Sequence, residues 1–376
     1  MSTTRAALLT EMGLPAPYAR SEPLRVTHLI LDDPGPGELL VAVRAAGLCH
    51  SDLSVIDGSR PRVMPMVLGH EAAGEVLGTG PGVTSFSPGD RVVLAFVPAC
   101  GACGPCRRGR PALCEPGAAA NTAGTLLSGA RRFRDPETGE QPHHHLGVSA
   151  FAERVVVSEH SAVKIDPTLP YELAALFGCA VLTGAGAAVN AARIAPGDTV
   201  AIFGLGGVGL AALMAAVDAG AEVVAIDTVD AKLELARELG AVHTVSAHDP
   251  GVAEYVRTLT AGGADTAIET VGSATVLHHA YAATRRGGTT ITVGLPHPAQ
   301  ELAIPAVSLV AEERTLKGSY LGSCVPQRDI PLFIERYHAG RLPVERLLTH
   351  RLTFDELNEG FDRLARGEAV RQVLVP

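Results

Sequence analysis

The stretch from Asp198 to Asp227, DTVAIFGLGGVGLAALMAAVDAGAEVVAID, decides how the second half of this chain folds. An apolar run, TVAIF, leads directly into the glycine turn GLGGVG, Gly204 to Gly209, and an alanine-rich segment follows it. That segment ends at Gly220, and a second apolar run closes at Asp227. Strand, turn, helix and strand within about 30 residues predict a βαβ unit, the building block of a parallel sheet.

Three glycines of the turn are each required for a different physical reason. Gly204 permits the tight turn, Gly206 lets the backbone approach a pyrophosphate, and Gly209 lets the helix pack closely on the strand. The loop is completed by Gly207 and Val208. A glycine turn with only a structural role is the alternative, and the flanking strand and helix favour a dinucleotide site.

Asp227, at the end of the second strand, indicates which dinucleotide binds. A carboxylate in this position accepts hydrogen bonds from both hydroxyls of the adenosine ribose and repels a 2′-phosphate. The sequence therefore predicts NAD in preference to NADP.

The segments on either side of this unit predict two further features of the fold. The first 160 residues contain short runs such as ELLVAVRAAG, DRVVLAF and FAERVVVS, separated by turns such as DDPGPGE and SPGD, which is typical of a barrel-like β domain. After the unit, ADTAIET, GTTITVG and LKGSYLG read as further strands, and RQVLVP as a closing one. We predict an α/β chain: a β-barrel domain over 1–180, a doubly wound parallel sheet over 181–322, and a return to the first domain over 323–376.

Length and charge restrict the possible functions. A chain of 376 residues favours two domains, and 31 basic against 40 acidic residues without a basic stripe argue against a nucleic-acid partner. The N-terminus, MSTTRAALLTEMG, lacks the apolar core of a signal peptide, which predicts a cytoplasmic protein. Residues 173–192 carry no charge, but their glycines, Thr183 and Asn190 favour a buried helix over a membrane span.

Four cysteines form a cluster in CGACGPCRRGRPALC. Cys100, Cys103, Cys106 and Cys114 are separated by two, two and seven residues. Four thiolates at this spacing complete a tetrahedral shell around Zn²⁺, and a shell without a vacancy is structural. An iron–sulfur cluster uses the same ligands, and disulfides are a further alternative that an intracellular chain disfavours.

Cys49 and His70, in GLCHSD and GHEAAG, suggest a second metal site of another kind. A zinc ion that takes part in chemistry keeps one position open and binds three protein ligands, and two cysteines with one histidine are a known set. Cys179 and Cys324 are both available as the third ligand, and the residues alone leave both possible. Cysteine and histidine packed in the core without a metal are the alternative.

These motifs together resemble the zinc-dependent medium-chain alcohol dehydrogenases over essentially the full length, with a long loop as in the class I and class III enzymes. The resemblance rests on GLCHSD, GHEAAG, the four-cysteine loop, GCAVLTGAG, GLGGVG, VGLP and NEGFDRLARGEAVRQVL. It implies a GroES-like barrel, a Rossmann domain, a homodimer and two zinc ions per chain. It also selects Cys179 over Cys324 as the third ligand.

The resemblance further implies roles for residues around the metal and the cofactor. Glu71 stands behind the metal, Asp52 holds the His70 ring, and Ser51 takes the proton of the alcohol. The implied cofactor contacts are His50 and Arg371 at the pyrophosphate, Thr183 at the nicotinamide, Lys232 at the ribose, and Val293. The implied substrate pocket consists of Phe96, His145, Leu146, Leu295 and Tyr320.

The expected reaction is the reversible oxidation of a small-molecule alcohol to an aldehyde or ketone. Zinc lowers the pKa of the alcohol so that an alkoxide forms near neutral pH, and hydride passes from its carbon to NAD. A formaldehyde dehydrogenase acting on a thiol adduct is one rival, with Arg131, Arg132 and Arg134 available for carboxylates. A zinc-stabilised NAD-binding protein without catalysis is the other.

Two departures from the family pattern bear on these expectations. Many relatives carry a histidine at the Ser54 position, where it ends a proton relay, and serine does not titrate near neutral pH. The segment from Glu115 to Leu146 matches the family only at its end, so its run His143-His144-His145 is alternatively read as a solvated loop.

Overall fold

The computed structural model describes residues 2–249 and 251–376. The strands are β1 (Ser2–Leu9), β2 (Leu24–Leu31), β3 (Glu38–Gly47), β4 (Met66–Val67), β5 (Glu71–Thr79), β6 (Arg91–Leu94), β7 (Phe133–Arg134), β8 (His143–His144), β9 (Arg154–Ser158), β10 (Ala162–Lys164), β11 (Thr199–Phe203), β12 (Glu222–Asp227), β13 (His243–Ser246), β14 (Ala264–Glu269), β15 (Thr284–Thr292), β16 (Thr315–Gly318), β17 (Leu348–Leu352) and β18 (Arg371–Leu374). The α-helices are α1 (Tyr18–Ser21), α2 (His50–Ile56), α3 (Gly104–Arg107), α4 (Glu115–Ala123), α5 (Tyr171–Leu176), α6 (Ala180–Gly186), α7 (Gly207–Asp218), α8 (Asp230–Glu238), α9 (Val252–Leu259), α10 (Ala274–Ala283), α11 (Ala306–Ala311), α12 (Pro326–His338) and α13 (Leu357–Ala365). Short 3₁₀ turns cover Pro111–Leu113, Glu159–Ser161, Leu321–Ser323, Val344–Leu347 and Phe354–Glu356, and a π-helical turn covers Ala187–Ala192.

The chain divides into two compact units. The first unit comprises Met1–Cys179, Val325–Pro331 and Leu348–Pro376, and the second comprises Ala180–Cys324 and Leu332–Leu347.

The first unit is built from two sheets. One has the strand order β7-β2-β1-β4-β8, and the other has the order β10-β6-β5-β3-β18-β17 with β9 also paired to β3. Most of these pairs are antiparallel, and β3 is buried along almost its whole length between its partners. The predicted GroES-like, barrel-like β architecture is confirmed.

The second unit contains a parallel sheet of six strands in the order β13-β12-β11-β14-β15-β16. Strands β12 and β14 both pair with β11, so the order of the strands reverses at β11. Doubly wound sheets bind their ligands at such a switch point, beyond the carboxyl ends of the strands. Part of the core consists of Phe203, Val224, Ile226, Val252 and Val256. The predicted Rossmann arrangement is confirmed.

Residues 332–347 differ from the sequence expectation, because they pack with the second unit instead of the returning segment. Arg336 donates to Asp218 at 3.0 Å, and Arg346 pairs with Glu238. Phe333 is fully buried in the same stretch. These ion pairs and this apolar burial join residues that are far apart in sequence. The local pattern of the amphipathic segment therefore could not show which unit it packs with.

The uncharged segment 173–192 is broken into α5, α6 and the π-helical turn. Every residue of α6 is buried. Across residues 2–249 and 251–376, none of the helices combines the length and the apolar character that crossing a membrane requires.

Candidate active site and structural metal centre

Cys49, His70 and Cys179 come together within the first unit. Their ligand atoms all lie within 4.8 Å of one another, and all three residues are buried. Cys49 follows β3 and His70 precedes β5, and these strands pair so that Gly47 faces Glu71. Helix α5 packs on both strands and leads the chain to Cys179. Strand pairing and helix packing thus assemble three residues that are distant in sequence.

Cys324, the other candidate for the third ligand, lies in the second unit. Its thiol donates to the Leu182 carbonyl at 3.3 Å and accepts a hydrogen bond from the Asn190 amide at 3.2 Å. The structure therefore gathers Cys179, and not Cys324, with Cys49 and His70.

The His70 ring is oriented by its neighbours. Its Nδ1 lies 3.0 Å from Oδ1 of Asp52, and the same oxygen accepts the Gly69 N–H at 3.1 Å. The Phe96 ring packs edge-on at 5.4 Å between centroids. With Nδ1 directed at Asp52, Nε2 remains as the metal-binding nitrogen. Burial by itself raises the pKa of Asp52, but the charge of His70 and the nearby His145 outweigh it and lower the pKa, so Asp52 is ionised.

The pKa values of the Cys49 and Cys179 thiols are shifted in opposite directions, downward for Cys49 and upward for Cys179. A hydrogen bond from Cys179 lowers the pKa of Cys49 well below its usual value; burial opposes this, and the charge of Arg371 reinforces it. Because the thiolate is the form that binds metals, Cys49 is prepared as a ligand. Two thiolates and one imidazole fit Zn²⁺ with a fourth position open.

Glu71 and Arg371 lie behind Cys49 and are both buried. The Arg371 Nε lies 3.5 Å from Oε2 of Glu71, and another guanidinium nitrogen donates to the Leu48 carbonyl at 3.1 Å. Burial opposes the charge of Arg371, but Glu71 outweighs burial and raises the pKa of the guanidinium. The predicted approach of Arg371 to the pyrophosphate stays a prediction.

The four-cysteine loop forms a second cluster in the first unit. The sulfur atoms of Cys100, Cys103, Cys106 and Cys114 lie within 4.8 Å of one another. Backbone N–H groups of Cys100 and Gly117 donate to the Cys114 sulfur at 3.2 and 3.3 Å, but burial outweighs these bonds and raises the pKa of the Cys114 thiol. The backbone N–H of Cys106 is the main cause that lowers the pKa of Cys103 to about 6. All seven cysteines are free, so the disulfide alternative is wrong. The cluster fits a closed structural zinc site.

The cofactor candidates lie in the second unit, around the glycine turn. Helix α7 begins at Gly207, with Gly206 as its N-cap. Asp227 accepts the backbone N–H of Leu205 at 2.6 Å and that of Val229 at 3.0 Å, so its carboxylate is fixed beside the turn. The half-buried Lys232 follows on α8, and Val293 follows β15.

Thr183, on α6, is a further candidate in the second unit. Its Oγ1 is buried and has no hydrogen-bond partner among residues 2–249 and 251–376. A buried hydroxyl without a partner fits a polar group of the nicotinamide.

The proposed proton route begins on α2. His50 and Ser51 occupy its first turn, His50 exposed and Ser51 half-buried. The Ser54 hydroxyl donates to the His50 carbonyl at 2.8 Å, so its proton is held by the helix backbone.

Comparison with known proteins decides the family. Residues 35–167 match the alcohol dehydrogenase GroES-like domain, and residues 207–339 match the zinc-binding dehydrogenase model. The chain is 42% identical to "Putative alcohol dehydrogenase D" of Mycobacterium tuberculosis, over 99% of both chains. This chain belongs to the zinc-dependent medium-chain alcohol dehydrogenase family. The predicted family and enzyme class are confirmed.

Two further relatives have names that specify their activity more narrowly. The chain is 39% identical to the NDMA-dependent alcohol dehydrogenase of Amycolatopsis methanolica, over 99% of this chain and 98% of the relative. It is 36% identical to S-(hydroxymethyl)glutathione dehydrogenase of Escherichia coli, over 95% and 97%.

Solved structures of the family agree with the fold. The benzyl alcohol dehydrogenase of Acinetobacter calcoaceticus has a TM-score of 0.92 at 31% identity, covering 100% of this chain and 99% of that one. A zinc-binding dehydrogenase of Sinorhizobium meliloti, bound to NADP, has a TM-score of 0.79 at 28% identity, with full coverage of both chains. The zinc-binding family model and this NADP-bound structure support zinc and a nicotinamide cofactor for the chain.

The histidine run of this alcohol dehydrogenase is not a solvated loop, so that alternative is wrong for two of its three members. His144 is fully buried and its Nε2 accepts the Arg132 backbone N–H at 3.1 Å. Burial lowers the pKa of His144 to about 3, so the ring is neutral. His145 is also buried, and only His143 is half-exposed.

The residues predicted for the substrate pocket fall in both units. Phe96, His145 and Leu146 are buried in the first unit. Leu295 and Tyr320 lie in the second unit, and their part in a pocket stays a prediction.

Two glycines at the metal site were not singled out from the sequence. At Gly47 a Cβ atom would lie 2.5 Å from the Glu71 carboxylate, and at Gly69, where φ is +90°, it would lie 2.6 Å from the Phe151 nitrogen. The sequence did contain a signal for both glycines, because each stands within two residues of a proposed zinc ligand.

Proposed function

We propose that this chain is an NAD-dependent alcohol dehydrogenase that interconverts small-molecule alcohols with aldehydes or ketones. The observation that carries the proposal is the convergence of Cys49, His70 and Cys179 on one point, with Asp52 orienting the histidine. A non-catalytic NAD-binding protein has no need of a three-ligand set that leaves a position open.

In the proposed mechanism the residues of this chain supply binding, orientation and proton transfer. Zinc, when bound, supplies Lewis-acid chemistry that lowers the pKa of a hydroxyl group and polarises a carbonyl oxygen. Cys49, His70 and Cys179 would hold the ion, and Asp52 fixes the His70 tautomer and ring plane. Ser51 would receive the hydroxyl proton of the substrate, and Thr183 would bind the nicotinamide.

We further propose NAD as the preferred cofactor. The Asp227 carboxylate is held by two backbone N–H groups at the end of β12. A fixed negative charge there accepts the ribose hydroxyls and repels a 2′-phosphate. Because a structure similar to this chain was solved with NADP bound, the affinities of this chain for NAD and NADP are the quantities to compare.

A thiol-adduct formaldehyde dehydrogenase is the second candidate, and it requires free cations for carboxylates. Here Arg132 pairs with the buried Glu38 at 2.8 Å, and Arg134 pairs with Asp32 at 3.2 Å. Arg131 donates to the Gln141 carbonyl at 2.8 Å. All three arginines are engaged in the first unit, which favours an ordinary alcohol as the substrate.

We also propose a cytoplasmic homodimer. The cysteine ligands of both clusters are needed as thiolates, which suits a reducing compartment. Strand β16 is an edge of the parallel sheet, and the preceding α11 exposes Val307 and Val310 at 71% and 81%. An edge strand beside exposed apolar side chains is suited to pairing with a second copy. Light scattering that returns a monomer at micromolar concentration would refute the dimer.

The experiment that tests the function combines zinc analysis with turnover. Purified protein should hold two zinc ions per chain and should produce NADH, detected at 340 nm, with alcohols and without added formaldehyde and thiol. Cys49→Ala should lose one zinc and all turnover but keep its fold. Cys106→Ala should lose the other zinc and much of its stability, because a closed site contributes folding energy. A single zinc in the parent protein, or activity only with formaldehyde plus thiol, would overturn the proposal.

A further inference from the structure

The buried carboxylate of Asp52 faces two imidazole rings, and only one of them belongs to a proposed zinc ligand. Nδ1 of His70 lies 3.0 Å from Oδ1 of Asp52, and Nδ1 of His145 lies 3.1 Å from the same oxygen. Asp52, His70 and His145 are all buried, with side-chain exposures of 0%, 1% and 2%. His145 therefore meets the same carboxylate that orients the metal ligand.

The ring of His145 also contacts His70 directly. The two ring centroids are 5.5 Å apart, and the planes are nearly perpendicular at 89°. Phe96 makes an edge-on contact with His70 of the same kind, at 86°. The plane of the metal-binding imidazole is thus set by one carboxylate and two aromatic edges.

The backbone holds His145 in this place. Its N–H donates to the Ser149 hydroxyl at 2.8 Å, and its carbonyl accepts the N–H groups of Val148 and Ser149 at 3.1 and 3.2 Å. Leu146 and Ser149 adopt left-handed backbone conformations with φ of 54° and 55°. Left-handed backbone is unfavourable for residues other than glycine and persists only where the surroundings determine it. A turn with this unfavourable backbone keeps the ring against Asp52.

We propose that His145 is a positioning residue for the catalytic zinc, acting through Asp52 on the orientation of His70. This inference rests on the metal site of the proposed function and departs from the pocket-lining role that the sequence suggested. Gly69, His70 and His145 each place a nitrogen within 3.1 Å of Oδ1 of Asp52, so three neighbours restrict the position of the carboxylate. A fixed carboxylate fixes the imidazole that binds the metal.

The expected effect is a loss of zinc affinity at one site only. Outer partners of metal ligands are typically worth 10-fold to 100-fold in affinity. We expect about tenfold for His145→Phe, the lower end of that range, because the Gly69 N–H and His70 still bind Asp52 in the variant. Phenylalanine preserves the aromatic edge and removes the nitrogen that lies 3.1 Å from Oδ1 of Asp52, so ring packing is separated from the polar contact.

The test is a competition titration of the full-length protein with a chromophoric zinc chelator, which reports both zinc sites without turnover. His145→Gln retains an N–H donor and should stay within about threefold of the parent at the catalytic site. His143→Phe is the matched control, because that ring contacts Ala123 and Arg131 instead of Asp52 and should leave both affinities unchanged. The four-cysteine cluster is an internal control for general damage to the fold.

The outcomes separate this inference from the proposed function. Selective tenfold weakening in His145→Phe with rescue in His145→Gln supports the positioning role. Equal zinc affinities in the parent and His145→Phe overturn it, and so do equal losses of affinity at both zinc sites. A changed KM for bulky alcohols with unchanged zinc affinity assigns His145 to the substrate pocket instead. A parent protein that binds only one zinc would refute the metal site of the proposed function itself.

Discussion

Gly209 and Gly206 stand three residues apart in the same turn, and their substitution by alanine should have different consequences. A Cβ atom on Gly209 would lie 1.8 Å from the Gly204 carbonyl oxygen and 3.0 Å from the Thr270 hydroxyl. An ordinary contact begins at 3.4 Å, so the start of α7 would have to retreat by about 1.6 Å from the turn. The clashing atom belongs to the backbone, so a change of side-chain rotamer cannot relieve the overlap.

A Cβ atom on Gly206 meets no atom within 4 Å among the described residues. Its backbone, with φ of −73° and ψ of −175°, is extended and open to any residue. Alanine is therefore tolerated by the fold at this position. The same open space is where the backbone would approach the pyrophosphate, so the methyl group should exclude the cofactor.

We expect Gly209→Ala to lower the unfolding free energy of the cofactor-free protein by about 3 kcal/mol, as overpacking against rigid backbone does. Gly206→Ala should change it by less than about 0.5 kcal/mol. NAD affinity should fall in both, by roughly 10-fold to 100-fold in Gly206→Ala, because an overlap of one methyl group costs about 1–3 kcal/mol and each 1.4 kcal/mol is tenfold in affinity.

Denaturant unfolding of the cofactor-free variants and calorimetric titration with NAD measure the two quantities separately. Gly206→Ala that unfolds as easily as Gly209→Ala would show that the space beside Gly206 is not free. Normal NAD affinity in Gly206→Ala would show that the pyrophosphate lies elsewhere.

Three further predictions concern the cofactor, the proton and the buried histidine. Asp227→Gly with Thr228→Arg should shift the preference toward NADP in steady-state assays, and a parent enzyme that uses both cofactors equally would contradict the ribose assignment. Ser54→His should accelerate pre-steady-state alcohol oxidation below about pH 7, because an imidazole of ordinary pKa accepts a proton that serine cannot store; an unchanged rate in a variant with normal NAD and zinc content would mean that water or His50 already suffices. His144 has a pKa of about 3 in the folded chain, below its unfolded value of about 6.5, so the unfolded state binds a proton that the folded state does not. Protonation of the unfolded state therefore lowers stability as pH falls from about 6.5 toward 3, by about 1.4 kcal/mol per pH unit. His144→Gln should flatten this slope in acid unfolding experiments, and equal slopes in the parent and the variant would contradict the burial argument.

The sequence by itself determined the features that depend on neighbours along the chain. The turn Gly204 to Gly209 and the strands beside it are local patterns, and so is the spacing of the four cysteines, whose loop brings its own sulfur atoms together. Backbone conformation and short-range spacing decide such features, and both can be read from consecutive residues.

The tertiary structure alone decided which distant groups meet. Residue counting alone left both Cys179 and Cys324 as candidates and the family resemblance pointed to Cys179, but it is the packing of α5 on β3 and β5 that brings Cys179 to Cys49 and His70. The contact of His145 with Asp52 likewise joins two segments that are separated along the chain. The physical reason is that a buried polar side chain must find its partner through strand register and helix packing, which are properties of the whole fold and leave no periodic mark in the residues themselves.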